Sequence, residues 1–422
     1  MEDKVTILGA GAVGICTALS LAERGVPVRL IDRAEPGQET TFGNAGVISP
    51  WSFIPQSLPG TWKKLPNLLL GKYRPLSVQG SYWAKMVPWG LTFLKNGAAQ
   101  RVEEISNAME PLCAPSVDLY RRHLSGTGAE NLIRDSVYVH AFRNNNRDVL
   151  EAIDYRIRRE KGGTLELVGE DDLRRIEPAV SSEFKAAVII HDQARAVAPG
   201  RVAAVLAEKA ARLGVEIVRD QVNSLKRQND LWRIEGDANH YSAKSVVVAM
   251  GAWSAELLKS LGISVPLAAE RGYHVEFPDP GITLNHSVMD MDAKFVASSM
   301  SEGLRVAGYA EFADVDAPRD ERKQSRITAQ AKAAFPDLND TRSSFWMGRR
   351  PSFPDSLPMI GEFTGHSGLY AGFGHSHYGL MMAPKTGELL ADFLTNRNPN
   401  LDCTPYRTDR FSKGRPVRQE YS

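Results

Sequence analysis

The stretch Val5–Arg33, VTILGAGAVGICTALSLAERGVPVRLIDR, decides how the rest of the chain is interpreted. Its first residues, Val5–Leu8, form a short apolar run typical of a buried strand, and apolar residues at helical intervals follow over Val13–Arg24. A glycine ends this predicted helix, and a second predicted strand, Val26–Ile31, runs directly into Asp32. The order of strand, helix and strand indicates a β–α–β unit with parallel strands.

Three glycines in the turn after the first strand, Gly9, Gly11 and Gly14, have the spacing G-x-G-x-x-G. Gly9 permits a tight turn, Gly11 lets the backbone approach a pyrophosphate, and Gly14 lets the helix pack closely on the strand. The helix N-terminus offers free N–H groups to phosphates, and Asp32 can accept hydrogen bonds from a ribose diol. The stretch therefore predicts a dinucleotide site, but it does not distinguish FAD from NAD.

The composition excludes several classes of protein. The net charge is +1 and the chain has no polybasic tract, so no nucleic-acid partner is predicted. The cysteines Cys16, Cys113 and Cys403 form neither a metal-binding nor a redox motif, and we predict no metal and no disulfide framework. No apolar run is long enough to span a bilayer and no secretory signal is recognised. We therefore expect a cytoplasmic protein with two domains or two lobes.

Residues 51–95 are unusually rich in tryptophan, with prolines and lysines interleaved. In one interpretation the aromatic side chains cover a pocket or pack between lobes. In the other they form an interfacial patch, because tryptophan and lysine together suit the surface of a membrane. We favour packing, and peripheral contact with the inner face of a membrane stays open. The tryptophans concerned are Trp51, Trp62, Trp83 and Trp89.

The strand–glycine–helix pattern of the opening stretch recurs twice. Over Ser245–Ser254 an apolar strand ends at Gly251, and over Gly368–Leu394 a strand leads through a glycine turn into a helix. A nicotinamide-dependent dehydrogenase does not need these later turns, so they favour FAD. Residues 263–340 instead contain short predicted strands separated by turns, which indicates an antiparallel sheet in a second lobe. Helices are predicted over 101–125, 146–161, Pro199–Leu213 and Gln324–Phe335.

Together these segments resemble the D-amino-acid oxidase/dehydrogenase superfamily of FAD enzymes, and are most similar to bacterial D-amino-acid dehydrogenases. The resemblance covers Val5–Leu394 and includes the tryptophan-rich segment. The motifs that carry it are E-T-T-F-G-N-A-G-V-I-S-P after Asp32, V-V-V-A-M-G-A-W-S, G-R-R-P-x-x-P-D-x-x-P-x-I-G, and G-x-G-H-x-x-x-G-x-x-x-A-P-x-x-G-E-L-L-A-D.

The resemblance implies an α/β (α+β) fold. A Rossmann-like domain would hold FAD non-covalently, and a substrate domain would contain a large mixed, mainly antiparallel sheet. The implied FAD-binding segments are 1–80, 197–262 and 340–422, the last with the C-terminal tail, and the substrate domain takes 81–196 and 263–339. The implied partners are a small amino or imino acid and an electron acceptor, which is a quinone, an electron-transfer protein or oxygen.

The resemblance also implies which residues approach the cofactor, and it assigns no metal ligand. The expected cofactor-binding residues are Gly9, Ala10, Gly11, Ala12, Val13, Gly14, Asp32, Arg33, Thr41, Asn44, Ala45, Gly46, Val47, Val222, Ala249, Gly251, Trp253, Gly348, Gly374, His375, Tyr378, Gly379 and Leu380.

The implied reaction is oxidative deamination of a D-amino acid, with D-proline and hydroxy-D-proline types among the candidates. A hydride passes from the α-carbon to flavin N5, giving a 2-oxo acid or a cyclic imine. One alternative is an oxygen-using amine oxidase of the glycine/sarcosine oxidase type, and the other is a nicotinamide-dependent dehydrogenase. A flavin disulfide reductase is disfavoured, because it would need a second dinucleotide motif and a redox cysteine pair.

Arg350 is the expected anchor of the substrate carboxylate, because a guanidinium forms two parallel hydrogen bonds to that group. The resemblance implies that Tyr273 and His274, in E-R-G-Y-H, lie over the substrate. Because neighbouring strand residues face opposite sides, we do not expect both to line the pocket. His375 and His377 lie in the last glycine turn, and we expect one of them to hold the amine neutral or donate to the flavin. Glycine oxidase has an arginine where this chain has His377.

Overall fold

The computed structural model describes residues 4–145 and 147–412. In chain order the β-strands are β1 Val5–Leu8, β2 Val28–Asp32, β3 Val47–Ile48, β4 Leu76–Val78, β5 Ile133–Phe142, β6 Leu165–Gly169, β7 Ala186–Ala196, β8 Glu216–Arg219, β9 Val222–Gln228, β10 Leu231–Gly236, β11 His240–Ala243, β12 Val246–Val248, β13 Ala268–Phe277, β14 Ser287–Asp290, β15 Phe295–Met300, β16 Gly303–Phe312, β17 Ser344–Ser352, β18 Met359–Glu362 and β19 Leu369–Phe373. The α-helices are α1 Ala12–Ala22, α2 Thr61–Leu70, α3 Trp83–Lys95, α4 Ala99–Cys113, α5 Ser116–Leu124, α6 Ile153–Glu160, α7 Glu170–Ile176, α8 Pro199–Arg212, α9 Ser254–Lys259, α10 Arg322–Ala334 and α11 Gly379–Leu394.

One sheet has six strands in the order β18-β19-β12-β1-β2-β8. Its strands are parallel except β18, which runs antiparallel to β19. Helices α8 and α11 both pack on α1, and the three helices share a core with apolar residues of β1 and β2. A three-stranded antiparallel sheet, β11-β10-β9, contributes to a second core beside β12 and β19. The predicted β–α–β unit is therefore β1-α1-β2, at the centre of a Rossmann-like sheet.

The second large sheet has the order β17-β13-β16-β15-β14-β5-β7-β3, with β4 added to β16 and β6 to β7. Its pairs are antiparallel except β14 with β5 and β16 with β4, which are parallel. Helix α10 covers β13 and β16 on one face of this sheet. The predicted α/β fold with a large mixed, mainly antiparallel sheet is confirmed.

Several predicted boundaries differ from the structure. The helix predicted over 101–125 is two helices, because Pro115 has no N–H to continue α4. The helix predicted over 146–161 begins only at Ile153, and Asn146 lies outside the described residues. Strands β3, β4 and β17 belong to the large sheet, although their residues were assigned to FAD-binding segments. The division into two domains stays a prediction.

The tryptophan-rich segment forms α2 and α3, which have different environments on their two sides. Trp89 is buried and stacks on Phe93 with ring centroids 5.2 Å apart. Trp62 and Trp83 instead expose 63% and 47% of their surface. Packing therefore explains Trp89. Trp83, although exposed, borders the cavity described below together with Trp89, as expected for side chains that cover a pocket, whereas Trp62 does not border it. Among the described residues, no helix combines the length and the apolar character that crossing a membrane requires.

Candidate active site

A cavity of about 810 Å³ runs from the turn between β1 and α1 to the end of the large sheet formed by β13, β16 and β17. Gly9 has a positive φ of 107°, and a Cβ there would overlap the carbonyl oxygen of Ala249. A Cβ at Gly14 would overlap the Gly9 carbonyl oxygen, so helix and strand pack as closely as the spacing predicts. A Cβ at Gly11 would meet only Thr41 Oγ1, at 3.7 Å, so this position is open toward the cavity.

Asp32 is held at the edge of this turn by backbone N–H groups. Its Oδ2 accepts a hydrogen bond from Ala10 N at 2.6 Å, and its Oδ1 accepts one from Ala34 N at 2.9 Å. Burial raises the pKa of Asp32, although these two N–H groups oppose that effect. The N–H of Ala12, at the start of α1, donates to Thr41 Oγ1 at 3.0 Å. A polar rim therefore surrounds the position that the sequence assigns to the pyrophosphate and ribose.

Most of the predicted cofactor-binding residues border the cavity, and four do not. The four are Ala10, Gly14, Gly46 and Gly374. On one wall the Arg33 guanidinium lies 4.1 Å from the ring centre of Trp253. The predicted residues that border the cavity are Gly9, Gly11, Ala12, Val13, Asp32, Arg33, Thr41, Asn44, Ala45, Val47, Val222, Ala249, Gly251, Trp253, Gly348, His375, Tyr378, Gly379 and Leu380.

At the other end of the cavity, one buried carboxylate joins two predicted catalytic residues. Arg350 on β17 lies directly opposite Glu270 on β13, so their side chains share a face of the sheet. The Nη1 of Arg350 donates to Glu270 Oε1 at 3.1 Å, and Nε2 of His377 contacts the same oxygen. The second oxygen, Oε2, accepts a hydrogen bond from Ser352 Oγ at 2.9 Å.

All three residues border the cavity, but Glu270 is ionised and almost completely buried, whereas its two partners are more exposed. Only 2% of the Glu270 side chain is exposed, against 20% for Arg350 and 41% for His377. Burial raises the pKa of Glu270, but His377 and Arg350 outweigh it and lower that pKa to about 2. The carboxylate is therefore a permanent acceptor at neutral pH, and both partners donate to it.

A β-bulge shapes the floor beneath Arg350. Opposite Gly272, the pairing of β13 with β16 shifts register, and Tyr309 has a φ of +64° in this bulge. The Tyr309 carbonyl oxygen accepts a hydrogen bond from Arg350 Nη1 at 2.9 Å. A non-glycine residue in this region of φ and ψ is uncommon, and such strain and bulges occur at functional sites.

Tyr273 borders the cavity, but its hydroxyl is engaged elsewhere. The hydroxyl donates to Glu311 Oε2 at 2.5 Å, inside a cluster of buried charges that also contains Arg271 and Lys323. Burial, together with this hydrogen bond, raises the pKa of Tyr273 to about 12. The cluster lies on the α10 side of the sheet, opposite Glu270, because neighbouring residues of β13 alternate. The structure therefore does not bring the Tyr273 hydroxyl to Arg350.

His274 and His375 are packed inside the protein. His274 does not border the cavity, lies with Nδ1 3.1 Å from the Gly43 carbonyl oxygen, and stacks on Trp346. His375 is 2% exposed, with Nε2 2.9 Å from Thr386 Oγ1, and burial lowers its pKa to about 3. Of the predicted histidines, only His377 contacts Glu270.

Comparisons with known proteins show the family to which the chain belongs. The family described as DAO, FAD dependent oxidoreductase, matches residues 4–393. The chain belongs to the DAO family of FAD-dependent oxidoreductases. Relatives of this DAO-family chain include a protein named D-amino-acid oxidase from Bradyrhizobium diazoefficiens, which is 34% identical over 96% of this chain and 98% of its own. A protein named D-amino acid dehydrogenase from Allorhizobium ampelinum is 30% identical over 98% of this chain and 99% of its own.

Solved structures share the fold of the DAO-family chain. L-proline dehydrogenase from P. horikoshii has a TM-score of 0.75 at 19% identity, covering 97% of this chain and 98% of its own. Glycine oxidase from Geobacillus kaustophilus has a TM-score of 0.72 at 20% identity, covering 96% and 98%.

The residues of the DAO-family chain fit FAD. The Gly11 backbone is open toward the cavity at the N-terminus of α1, where the positive end of the helix dipole would hold a pyrophosphate. Helix α11 also begins at the cavity, at Gly379, so the positive end of its dipole lies at the cavity, where it would favour a negatively charged reduced flavin.

The sequence did not reveal four residues that shape the substrate end of the cavity. Glu270, Gly272 and Tyr309 hold Arg350, and Trp346 covers Gly43 and Gly348, where a Cβ would overlap its ring. Glu270 and Gly272 belong to the segment E-R-G-Y-H, and the alternation of a strand would have placed the two on one face. The pairing of Glu270 with Arg350 depends on the register of β13 with β17, which local sequence does not encode.

Proposed function

We propose that the protein oxidises the carbon–nitrogen bond of a D-amino acid. The observation that carries this proposal is the junction of Arg350 and His377 on Glu270, at the end of a cavity that begins at a dinucleotide motif. Arg350 binds the substrate carboxylate and His377 accepts a proton from the ammonium group. The D configuration is supported by two relatives that align over nearly the whole chain, one named D-amino-acid oxidase and the other D-amino acid dehydrogenase.

The proposed reaction conserves atoms and electrons. His377 takes a proton from the ammonium group, which leaves a neutral amine. When bound, FAD supplies the oxidant that accepts a hydride, with its electron pair, from the α-carbon. The nitrogen lone pair then forms the C=N bond, and water converts an open-chain imine to a 2-oxo acid and ammonia. A cyclic substrate such as D-proline leaves a cyclic imine.

The test is an anaerobic titration of the purified flavoprotein with D-amino acids, their L-enantiomers, D-proline, hydroxy-D-proline, glycine and sarcosine. Bleaching of the flavin by D-amino acids, and not by L-enantiomers, supports the proposal. Bleaching by glycine or sarcosine alone would favour an amine oxidase instead. A variant with Arg350→Met should keep its flavin but lose bleaching, and unchanged bleaching would remove Arg350 from this role.

The electron acceptor is the second part of the proposal: a quinone reached at an anionic membrane surface. Five exposed large apolar side chains lie on α2 and α3, and α3 presents Trp83, Val87 and Leu91 at a helical spacing of four residues. Helix α2 has no fully buried residue, although its leucines Leu65 and Leu68 border the cavity. The two helices therefore separate the cavity from solvent. Their exposed side forms one surface, the α2–α3 face, with the apolar side chains Trp62, Leu70, Trp83, Val87 and Leu91.

The charge of this segment supports a lipid surface as the occupant. Residues 40–102 contain no Asp or Glu, although the chain has 50 acidic residues. The basic residues of the same segment are Lys63, Lys64, Lys72, Arg74, Lys85, Lys95 and Arg101. Basic residues beside exposed tryptophan are attracted to anionic lipid headgroups. We therefore propose that the protein is cytoplasmic and binds the inner face of a membrane. If oxygen reoxidises the reduced flavin faster than a quinone does, the proposal of a quinone acceptor is contradicted.

A further inference from the structure

We propose that Glu270 is the positioning residue of the active site: through one oxygen atom it orients both the carboxylate anchor, Arg350, and the proton acceptor, His377. The inference rests on the proposed function, and it adds a residue that neither the motif nor the family match assigns. Three observations carry it: the shared oxygen, the placement of the protons and the free edge of Arg350.

The first observation is that both donors meet the same atom. Arg350 Nη1 and His377 Nε2 each contact Glu270 Oε1, whereas Ser352 Oγ occupies Oε2. Two groups that each lie within hydrogen-bond distance of one atom are at most about 6 Å apart. The separation of guanidinium and imidazole is thereby fixed by a residue that is itself held in the sheet and almost completely buried.

The second observation is that Glu270 determines which nitrogen of His377 carries a hydrogen. Glu270 is a carboxylate with its pKa lowered to about 2, so it accepts hydrogen bonds and does not donate them. Nε2 of His377 must therefore carry the hydrogen that it shares with Oε1. In neutral His377 the other nitrogen, Nδ1, then keeps its lone pair, which is the form that accepts a proton from an ammonium group.

The third observation is that one edge of the Arg350 guanidinium is left free for a substrate. Its Nη1 is occupied by Glu270 Oε1 and by the Tyr309 carbonyl oxygen. Within residues 4–145 and 147–412, Nε and Nη2 have no hydrogen-bond partner, and these two nitrogens form the side edge of the guanidinium. A carboxylate can take two parallel hydrogen bonds from that edge. Glu270 therefore orients two groups together: the free edge of Arg350, for the substrate carboxylate, and Nδ1 of His377, for the ammonium proton.

Glu270→Gln tests the inference, with Glu311→Gln as the matched control. Both glutamates are buried in the same sheet and bind an arginine, but Glu311 lies on the α10 side and contacts neither Arg350 nor His377. Both variants are prepared as flavoproteins. The dissociation constant of acetate, a carboxylate without an amine, is measured from the flavin spectrum, and kcat and KM are measured with the best D-amino acid.

In the Glu270→Gln variant we expect acetate binding to weaken about 10- to 100-fold, as for the loss of a hydrogen bond to a charged group. We expect kcat to fall further, by about 100-fold or more, because proton transfer to His377 is also impaired. Glu311→Gln should change both quantities less than about threefold, although its melting temperature falls. Equal losses in the two variants, or no loss with Glu270→Gln, would overturn the inference.

A second variant guards against a Glu270→Gln protein that folds poorly. Glu270→Ala leaves a space the size of a small carboxylate, and formate added to this variant should restore at least part of kcat. Glu270→Asp should retain more activity than Glu270→Gln, because it keeps the charge. Failure of both the rescue and the Asp variant, in protein that retains flavin, also contradicts the inference.

The acetate titration separates this inference from the proposed function. If no amino acid bleaches the flavin of the unmodified protein, the proposed function fails. Arg350 and Glu270 still determine acetate affinity in that case, and an unchanged affinity in the Glu270→Gln variant would reject the positioning role independently.

Discussion

The guanidinium of Arg350 lies directly over Gly272, one strand away. A Cβ on Gly272 would overlap Cζ and Nη2 of Arg350 and would lie 2.7 Å from Nη1. The absence of a side chain at Gly272 therefore creates the space in which the arginine lies flat against the sheet. Glu270 and Tyr309 then fix it there through hydrogen bonds to Nη1.

Gly272→Ala should therefore displace Arg350 without removing the flavin. We expect acetate affinity and kcat/KM for a D-amino acid to fall at least about tenfold, because a displaced guanidinium no longer offers two parallel hydrogen bonds. Flavin content per protein should not change. Gly169→Ala is the control, since nothing lies within 4 Å of the Cβ at that position. Normal acetate affinity in Gly272→Ala would contradict the assigned position of Arg350.

The glycines of the first turn should respond differently to substitution. Gly11→Val should give a folded protein without FAD, because its side chain meets only Thr41 and extends into the cavity. Gly14→Val should instead unfold the protein, because its Cβ overlaps the Gly9 backbone. The measurements are the ratio of flavin to protein and the melting temperature of the flavin-free form. Full flavin occupancy in Gly11→Val would reject the phosphate site.

His375 should make the fold sensitive to mild acid. Burial lowers its pKa from 6.5 to about 3, so the unfolded chain binds a proton at this residue before the folded protein does. Stability therefore falls as the pH decreases from about 6.5 toward 3. His375→Asn should reduce the loss of unfolding free energy between pH 7 and pH 4, measured by urea denaturation. An equally steep loss in the variant would show that His375 does not contribute.

The α2–α3 face should bind vesicles that contain anionic phospholipid. Lys63→Glu with Lys64→Glu should weaken binding at least about tenfold in a flotation assay, since each basic residue near the surface contributes about 1 kcal/mol. Lys226→Glu with Arg233→Glu makes the same charge change on β9 and β10 and should leave binding unchanged. Equal binding to purely zwitterionic vesicles, or equal effects of the two pairs, would argue against an electrostatic lipid contact.

The sequence was most informative where chemistry depends on neighbours in the chain. The glycine spacing of the first turn and the apolar run of β1 predict a β–α–β unit because both signals are local. The two later strand–glycine–helix turns are local in the same sense, and their strands join β1 in one sheet, where β12 pairs with β1 and β19 pairs with β12.

The sequence was least informative where a contact depends on register between distant strands. Arg350 is predictable from its motif, but its partner Glu270 lies 80 positions away, and only the pairing of β13 with β17 brings them together. Tyr273 and His274 illustrate the same limit. Alternation along β13 shows that they face opposite sides, but not which side meets the cavity.

The shared oxygen of Glu270 has a consequence for the shape of the substrate. Because the guanidinium of Arg350 and the imidazole of His377 both bind one atom, the site fixes the distance between the carboxylate and the nitrogen of a bound substrate. α-Amino acids, in which a single carbon separates the two groups, match a short and fixed interval. β-Amino acids and longer homologues place the nitrogen further from the carboxylate, so the fixed separation of Arg350 and His377 excludes them whatever their side chain.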